Sequence, residues 1–399
     1  MNKYFYPLVE NPFSNADIVE GIKVLKSKQL TLSKKTSNFE KDFTSTLKSR
    51  NSLMVNSGSS ANLLALQCLI NPYRKNRLKK GDEVIIPTLC WSTSLWPIVQ
   101  SNLKPVFVDI NPLTLNIDED QIEKKITKKT KAILLVHVLG NSCDMDHIMK
   151  IKKKYNLLLI EDTCESLGSK YKNKFLGTFG EFSSFSFYSS HQISSGEGGM
   201  ICCKDKADYN IIKSLRSHGW SRGTSFENTI YKKNKNLDKR FIFFNSGYNL
   251  RPTEVSAAIG HNQFKRLDEF IKIRNYNRKK IILSILNNSL LNKKIDFYYE
   301  NKNVTPSWFG LSIKILIKEK QFKFDVIKKL ESNGIETRPI ISGNFANQPS
   351  AKKYKLSNNQ KFPNTDLVYA NSFFIGLPSK KINNLYLKKI ISAFEKSFK

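Results

Sequence analysis

Short apolar runs alternate with stretches of helical periodicity between residues 51 and 205. Five runs have the length and composition of buried strands: Leu53–Val55, Glu83–Pro87, Pro105–Asp109, Lys131–His137 and Leu157–Asp162. The stretches between them fit helices: Ser60–Leu69, Ser92–Ser101, Asp118–Lys128 and Asp144–Tyr155. This alternation predicts an α/β fold with a mostly parallel sheet and right-handed crossovers. In such a sheet, ligands bind beyond the carboxyl ends of the strands.

The pattern changes after about residue 250. Before that point, Phe182–Tyr188 and Gly199–Cys203 resemble two further strands around a loop. Beyond it, helices are predicted over Thr253–Phe270, Ile273–Asn287, Phe324–Asn333 and Asn383–Phe398, and a strand over Trp308–Ile317. We therefore predict a large α/β domain over residues 1–265, which includes the N-terminal segment, and a smaller C-terminal α+β domain over residues 266–399.

The chain has 399 residues, of which 40% are hydrophobic, so it can bury a core and is not a disordered chain. Its net charge is 65 − 34 = +31, which suggests nucleic-acid binding as one hypothesis. However, the positive residues are mostly lysines scattered along the chain, and the clustered arginines and aromatics of sequence-reading proteins are missing. We therefore expect a solvated basic surface and no nucleic-acid partner.

No apolar run approaches the roughly 18 residues that a membrane span requires, and the first residues lack the apolar core of a secretory signal. The six cysteines show no even disulfide framework in a chain of this length. These features predict a cytoplasmic protein with reduced thiols and no membrane association.

The segment Asn56–Asn62 is the first candidate for chemistry. It consists of small and polar residues, follows a predicted strand and opens a predicted helix. Residues such as Gly58 and Ser59 allow the backbone to approach a ligand closely, and N–H groups at a helix N-terminus attract phosphate. The same residues also suit an ordinary serine-rich N-cap, so the pattern alone leaves both interpretations open.

Asp162 ends a predicted buried strand within the tract Ile160–Gly168. A buried carboxylate needs a cation or a hydrogen-bond donor as its partner. The protonated ring nitrogen of pyridoxal phosphate is one such partner, because a carboxylate beside it keeps the ring electron-withdrawing. Capping of the next turn is the alternative interpretation.

The most specific segment is Ser184–Gly199, which ends in Gly-Glu-Gly-Gly. It resembles the active-site segment of the DegT/DnrJ/StrS-type sugar aminotransferases, which are fold-type-I pyridoxal-phosphate enzymes. The resemblance covers most of the chain, and its other matching segments are Ser57–Ser59, Pro105–Asp109, Glu161–Asp162, Gly247–Glu254 and Thr337–Ile340. It implies the α/β fold of these transferases and pyridoxal phosphate as the cofactor.

His191 stands where this family carries the lysine that forms a Schiff base with the cofactor. An imidazole cannot form a stable imine, but with an ordinary pKa of about 6.5 it can transfer protons at neutral pH. The tracts Trp91–Pro97, His137–Asn141 and Gly343–Phe345 resemble a branch of the family with this departure, the nucleotide 4-keto-6-deoxyhexose 3-dehydratases. The resemblance implies a lyase that removes the carbon-3 hydroxyl of such a sugar for 3,6-dideoxysugar and surface polysaccharide synthesis. It further implies pyridoxamine phosphate as the working cofactor, with glutamate as the amino donor that restores it.

The resemblance also implies a role for each candidate residue. His191 moves protons during the reaction. Asp162 pairs with the ring nitrogen of the cofactor, Glu165 contacts the ring substituents and Trp91 stacks on the ring. Ser59 and Ser186 bind the cofactor phosphate, with Gly58 beside them. Asn249 binds the same phosphate from the neighbouring subunit. His218 and Arg338 contact the substrate. This arrangement implies a homodimer with a shared active site.

A related group of dehydratases combines the cofactor with a [2Fe–2S] cluster, which requires four converging thiolates. The last cysteine here is Cys203, and the adjacent Cys202 and Cys203 are expected to point to opposite faces of a strand. We therefore expect no iron–sulfur cluster. By resemblance to the cluster-free enzymes, a GDP-linked sugar is the first candidate substrate.

Two other functions remain compatible with this sequence. One is a nucleotide-sugar aminotransferase that uses another lysine, such as Lys204, and the other is a non-catalytic sensor of the same fold. Structural roles also remain open for three of the candidates: a core position for Trp91, a helix-end position for His218 and a surface ion pair for Arg338.

Overall fold

Strands and helices alternate along residues 3–317, 320–356 and 360–399, which are the residues that the computed structural model describes. In chain order the strands are β1 (Asn51–Val55), β2 (Glu83–Pro87), β3 (Lys104–Val108), β4 (Thr130–Val136), β5 (Leu158–Asp162), β6 (Lys170–Tyr171), β7 (Lys174–Phe175), β8 (Phe182–Ser186), β9 (Gly199–Cys203), β10 (Ile295–Phe297), β11 (Val304–Thr305), β12 (Gly310–Ile315), β13 (Thr337–Arg338) and β14 (Ser372–Gly376). The helices are α1 (Asn15–Ser27), α2 (Lys34–Leu47), α3 (Gly58–Leu69), α4 (Ser92–Gln100), α5 (Glu119–Ile122), α6 (Met145–Tyr155), α7 (Lys206–Arg216), α8 (Glu227–Lys233), α9 (Glu254–Phe264), α10 (Leu267–Leu286), α11 (Lys320–Ser332), α12 (Pro349–Lys353), α13 (Pro363–Asn371) and α14 (Asn384–Phe398).

The large sheet has seven strands in the order β1-β9-β8-β5-β4-β2-β3. Strand β9 runs antiparallel to both of its neighbours, and the other neighbouring strands are parallel. Apolar cores cover both faces of this sheet: Cys203 packs into one core and Cys202 into another, because successive side chains of a strand point to opposite faces. The predicted mostly parallel α/β fold is confirmed.

The parallel strands bring the candidate residues to one edge of the sheet. Asp162 is the last residue of β5 and Ser186 is the last residue of β8, and these two strands are parallel neighbours. Helix α3 begins at Gly58, directly beyond the end of β1. The carboxyl ends of β5 and β8 therefore face the N-terminus of α3, which is where an α/β sheet places its ligand.

The smaller sheet is antiparallel, with the order β10-β12-β14-β13. The helices α10, α11 and α14 supply apolar residues to the core beneath it, among them Ile281, Leu330 and Phe394. The break between α9 and α10 lies at the predicted boundary of 265 and 266, and the division into two domains there stays a prediction.

The N-terminal segment, which the sequence analysis placed with residues 1–265, contacts the smaller lobe. Tyr6 is buried in the core beneath the smaller sheet, and its hydroxyl donates to the carbonyl oxygen of Gly376 at 2.8 Å. The backbone of Tyr6 also pairs with Ile335 in a parallel bridge. Among the described residues, no helix is both long and apolar enough to cross a membrane.

Candidate active site

A cavity of about 690 Å³ opens at the carboxyl edge of the large sheet. It is bounded by the loops after the parallel strands, by the N-terminus of α3 and by the 7–9 segment of the chain. Eight of the ten candidate residues from the sequence analysis line this cavity: Gly58, Ser59, Trp91, Asp162, Glu165, Ser186, His191 and Arg338. The fold thus collects residues that are up to 280 positions apart in the sequence (338 − 58 = 280).

The N-terminus of α3 forms one end of the cavity. Ser57 caps this helix, since its hydroxyl accepts from the backbone N–H of Ser60 at 3.1 Å. At Gly58, a Cβ atom would lie 2.7 Å from Cys164 Sγ and 2.7 Å from the Cβ of Ser186, so a larger residue does not fit there. Ser59 follows, with its hydroxyl 2.7 Å from that of Thr93. The serine-rich cap and the phosphate site are therefore compatible, because the capped helix still directs N–H groups at the cavity.

Asp162 lies at the floor of the cavity and is held by three donors. Its Oδ2 accepts from Asn62 Nδ2 at 2.8 Å and from the Ser94 hydroxyl at 2.7 Å. Its Oδ1 accepts from the backbone N–H of Cys164 at 3.1 Å. A carboxylate with two oxygens has about four acceptor sites, so Asp162 retains capacity for a further donor from the cavity.

His191 forms the opposite wall of the cavity. Its Nδ1 lies 2.5 Å from the carbonyl oxygen of Cys164, and a carbonyl accepts only, so Nδ1 carries a hydrogen. Burial lowers the pKa of His191 to about 4, although the hydrogen bond to Cys164 and the charge of Asp162 act in the opposite direction. The ring is therefore neutral at pH 7, and its Nε2 keeps a lone pair. The ring also packs against Phe309, at a centroid distance of 5.1 Å.

Glu165 lines the same cavity but its acidity is shifted in the other direction. Burial, with a contribution from the charge of Asp162, raises the pKa of Glu165 to about 7. Its Oε2 accepts from the backbone N–H of Leu139 at 2.9 Å. The carboxyl group is thus available in both protonation states near neutral pH. Two titratable groups with pKa values moved apart in one cavity are typical of an active site.

Trp91 and Arg338 stand at the mouth of the cavity. Trp91, the residue that precedes α4, borders the cavity and is 57% exposed. The core position considered for Trp91 is therefore wrong. Arg338 pairs with Glu336 at 2.6 Å, and its side chain remains 47% exposed. The surface ion pair that the sequence left open for Arg338 is therefore present, and both of its residues line the cavity.

His218 and Asn249 do not line the cavity. They lie next to each other, because Ser217 pairs with Asn249 in an antiparallel bridge and the N–H of His218 donates to the carbonyl oxygen of Tyr248 at 2.7 Å. Asn249 is exposed and accepts from Arg251 Nε at 3.0 Å. The implied contacts of His218 with the substrate and of Asn249 with the cofactor phosphate are therefore not formed within a single chain.

No lysine lines this cavity among the described residues. Lys204, the alternative considered for a Schiff base, follows β9 at the opposite edge of the sheet. Its Nζ donates to the carbonyl oxygen of Phe179 at 2.5 Å and borders a different cavity. Two imidazoles line the cavity instead: His191, and His137, whose Nε2 lies 3.3 Å from Glu161 Oε2. An aminotransferase that uses Lys204 has no support from the fold.

The residues present fit pyridoxal phosphate or pyridoxamine phosphate. Gly58 has no room for a side chain, so its backbone packs directly against Cys164 and Ser186 at the helix N-terminus that borders the cavity. Asn62 has a buried Oδ1 without a hydrogen-bond partner among the described residues. Asp162 faces a cavity bordered by an exposed indole. Together these groups provide an anion site, a carboxylate for a ring nitrogen and an aromatic wall.

The six cysteines are dispersed, and none forms a disulfide. Cys164 borders the cavity, whereas the other five are buried, with the adjacent Cys202 and Cys203 on opposite faces of β9. Within the described part of the chain, no three His, Cys, Asp or Glu side chains are grouped closely enough to hold a metal ion.

Comparison with protein families assigns the chain. The model of the DegT/DnrJ/EryC1/StrS aminotransferase family matches residues 14–394. The chain belongs to this family. A curated relative, the GDP-4-keto-6-deoxy-D-mannose 3-dehydratase of Escherichia coli O55:H7, is 36% identical over 374 residues, which cover 93% of this chain and 95% of the relative.

Two solved structures have the same fold over almost the whole chain. One is a GDP-4-keto-6-deoxymannose-3-dehydratase with a trapped PLP-glutamate geminal diamine, with a TM-score of 0.89, 35% identity and coverage of 99% of this chain and 100% of that chain. The other is a histidine-to-asparagine variant of such a dehydratase with bound GDP-perosamine, with a TM-score of 0.88, 35% identity and the same coverage. The resemblance proposed from the sequence is therefore confirmed, and so is the fold type.

Sequence reasoning missed residues that support the site from behind. Asn62 and Ser94 hold Asp162, but the sequence analysis gave no role to either. Gln192 donates to the carbonyl oxygens of Glu165 and Ser307. Arg274 donates to the backbone of the His191 segment from a distant helix. Asn62 and Gln192 lie within the two segments already singled out, which was a usable signal, whereas nothing in the sequence near Arg274 indicates its position.

Proposed function

We propose that this chain is a 3-dehydratase that removes the carbon-3 hydroxyl of a GDP-linked 4-keto-6-deoxyhexose. The observation that carries the proposal is a neutral histidine, His191, in a cavity that has no lysine among its described lining residues. The relatives named for this reaction share over a third of their residues with this chain across nearly its full length. A family member without a Schiff-base lysine is suited to proton transfer rather than to amino transfer by the ordinary route.

The cofactor-binding residues of the proposal are those of the cavity. Gly58, Ser59 and Ser186 hold the phosphate, and Asp162 holds the ring nitrogen. Trp91 stacks on the ring and Glu165 contacts its substituents. When bound, pyridoxamine phosphate supplies a primary amine that condenses with the sugar ketone, and a ring that withdraws electrons. Glutamate is the proposed amino donor, in accord with the glutamate adduct in a related structure.

His191 performs the proton transfers in this proposal. Because Nδ1 is committed to the carbonyl of Cys164, Nε2 is the atom that accepts a proton. The imidazolium formed in this way is then the acid that protonates the departing carbon-3 hydroxyl. The charge of Asp162 stabilises the imidazolium form of His191 through space, because it raises the pKa of the His191 ring.

Substrate binding is assigned to the mouth of the cavity. Arg338 lies there with an exposed guanidinium, which can bind diphosphate oxygens bidentately if its pair with Glu336 opens. The related structure with GDP-perosamine supports a GDP-linked sugar as the ligand class. We further propose that the product serves 3,6-dideoxysugar and surface polysaccharide synthesis in the cytoplasm.

We infer that the working enzyme is a homodimer. His218 and Asn249 lie outside the cavity of their own chain, and a second copy is the simplest source of these groups for each site. Helix α1 also exposes apolar residues at helical spacing: Ile18, Ile22 and Leu25 are 49%, 43% and 55% exposed. Such a stripe indicates a protein–protein contact. Sedimentation equilibrium should give twice the chain mass.

The direct test is the mass of the product. The protein is incubated with pyridoxal phosphate, glutamate and GDP-4-keto-6-deoxymannose, and the nucleotide sugar is analysed by mass spectrometry. We expect a product lighter by one oxygen atom, without added nitrogen, and one 2-oxoglutarate and one ammonium ion formed for each turnover. A product that contains an added amine would instead establish an aminotransferase, and a protein that binds the cofactor without any turnover would support a sensor.

A further inference from the structure

Arg274, on helix α10, donates to three backbone carbonyls behind the active-site cavity. Its Nη2 and Nη1 reach the carbonyl oxygens of His191 and Gln192 at 3.2 and 2.9 Å. Its Nε reaches the carbonyl oxygen of Leu377 at 3.2 Å, just beyond β14 in the smaller sheet. The planar guanidinium thus joins the His191 segment to the other lobe with a fixed geometry, which a lysine cannot reproduce.

This guanidinium has no carboxylate within ion-pair distance among the described residues. Burial lowers the pKa of Arg274 to about 10, but the group stays charged at neutral pH. Arg274 is only half-buried, but it loses part of its hydration without gaining a counter-ion, and three neutral carbonyls replace that hydration only in part. A charge retained at such a cost beside an active histidine suggests a role beyond packing.

Several charged and titratable groups face His191, from each element around it. The titratable and charged groups that line the cavity with it are Asp162 at the end of β5, Cys164 and Glu165 in the following loop, His137, Glu197 and the Glu336–Arg338 pair. Arg274 faces it from behind, and Tyr188 contacts its ring edge-on at 6.2 Å. Glu10, from the N-terminal segment, borders the small cleft that His191 and Arg274 share. Of these charges, Asp162 raises the pKa of the His191 ring and Arg274 lowers it, and Glu10 lies on the Arg274 side.

We propose that Arg274 is a positioning residue for His191, which fixes the backbone of residues 191–192 so that Nδ1 faces the Cys164 carbonyl and Nε2 faces the cavity. Its positive charge also disfavours a second proton on the ring and so keeps Nε2 available as a base. The Gln192 side chain assists on the same backbone, since it donates to Glu165 and Ser307. The inference deepens the proposed function and rests on it for the role of His191.

The test is NMR of the full-length protein with isotope-labelled histidine, which is independent of turnover. The chain has five histidines, and the His191 signal is identified by its loss in His191→Asn. We expect the wild-type ring to show the Nδ1–H tautomer and to titrate below pH 5. In Arg274→Met the midpoint should rise by about one unit and the tautomers should mix. In Arg274→Lys, which retains the charge without the three-way geometry, the midpoint should stay low while the tautomers mix.

Arg278 provides a matched control. It lies one turn further along α10, is more fully buried than Arg274, and donates to Tyr298 rather than to the His191 segment. Arg278→Met should leave the His191 signals unchanged. Unchanged His191 midpoint and tautomer in folded Arg274→Met would refute the proposal. If that variant does not fold, unchanged tautomers in Arg274→Lys would refute it equally. Altered His191 signals in a protein without dehydratase activity would mean that the proposed function, and not the positioning role, is wrong.

Discussion

The cavity and the His218–Asn249 patch, which comprises His218, Trp220, Asn249 and Arg251, differ in how completely one chain builds them. In the cavity, Asp162 has three donors and His191 has a fixed tautomer. In the patch, His218 contacts Trp220 at 4.9 Å, and Arg251 lies over the same indole at 5.6 Å. Asn249 also accepts from Arg251 Nε at 3.0 Å, so these contacts orient the patch outside the cavity of its own chain.

The cavity therefore sets the chemistry of the site within one chain, whereas the patch is proposed to complete the site of a second chain. A network buried within one chain can set pKa values and tautomers before any ligand binds. A patch that lies outside the cavity of its own chain can act only on a site that another molecule brings to it. We therefore expect cavity variants to lose chemistry or cofactor binding within each chain, and patch variants to be rescued by a second chain.

The largest effect is expected for His191→Asn. Asparagine cannot transfer protons, so turnover should fall by about 10²- to 10⁴-fold, while the affinity for cofactor stays nearly unchanged. Rates of 2-oxoglutarate release and product formation measure the first quantity, and cofactor absorption titration measures the second. His147→Asn, which alters a partly exposed histidine on α6, is the control. If His191→Asn retained its turnover, the proposed proton transfer by His191 would be wrong.

The second prediction concerns the floor of the cavity. Ser94→Ala removes one of the donors to Asp162 and leaves that oxygen with Asn62 alone. A hydrogen bond to a charged group contributes about 1.5–3 kcal/mol, so cofactor affinity should fall by about 10- to 100-fold. Fluorescence or absorption titration with pyridoxal phosphate gives the dissociation constant. Ser92→Ala, two residues earlier and at the start of the same helix, should have little effect.

The third prediction tests the patch by mixing chains. His191→Asn and Asn249→Ala should each be impaired alone. When they are co-refolded in equal amounts, half of the dimers are hybrids, and each hybrid has one intact site if the patch acts across subunits. About a quarter of the wild-type activity should therefore return. If activity stays at the level of the single variants, the patch does not complete a neighbouring site.

The smallest effect is a pH-dependent change in stability. The pKa of Glu165 is raised from 4.5 to about 7, so its contribution to stability is fully present below about pH 4.5 and is lost as the pH rises through about 7. Glu165→Gln removes this ionisation. Its melting temperature, measured without cofactor, should exceed that of the wild type by a few degrees at pH 8, with almost no difference at pH 5. A variant that is less stable at pH 8 would show that the ionised carboxylate is stabilising.

The core of the large sheet was predictable because its pattern is local. β2, β9 and α6 follow the predicted ranges closely, since each is bounded by clear polar or turn residues. The predicted helix over Asp118–Lys128 is shorter than expected, with α5 followed by a single 3₁₀ turn that ends at Lys125. The strands β6, β7, β10, β11, β13 and β14 were not predicted. Strands β10 and β13 have only 3 and 2 residues, and β14 is a continuous apolar run that periodicity cannot assign.

The site was predictable where residues lie in a recognisable segment, and unpredictable where distant elements meet. Asp162 and His191 stand in such segments, and the cavity contains both. The anchoring of α2 depends instead on Glu254, which accepts from the backbone N–H groups of Ser33 and Lys35 at 2.8 and 2.7 Å. Local periodicity does not reveal a carboxylate that caps a helix more than 200 residues away.

The exposure of Trp91 gives the protein a built-in optical reporter. Among the four tryptophans, Trp91 borders the cavity with 57% of its surface open, whereas Trp308 is 96% covered. A pyridine ring that settles against this indole absorbs at the wavelengths where tryptophan emits, so loading should quench the emission of one residue selectively. Occupancy can then be followed during assembly of the proposed dimer, without any turnover and without an added dye.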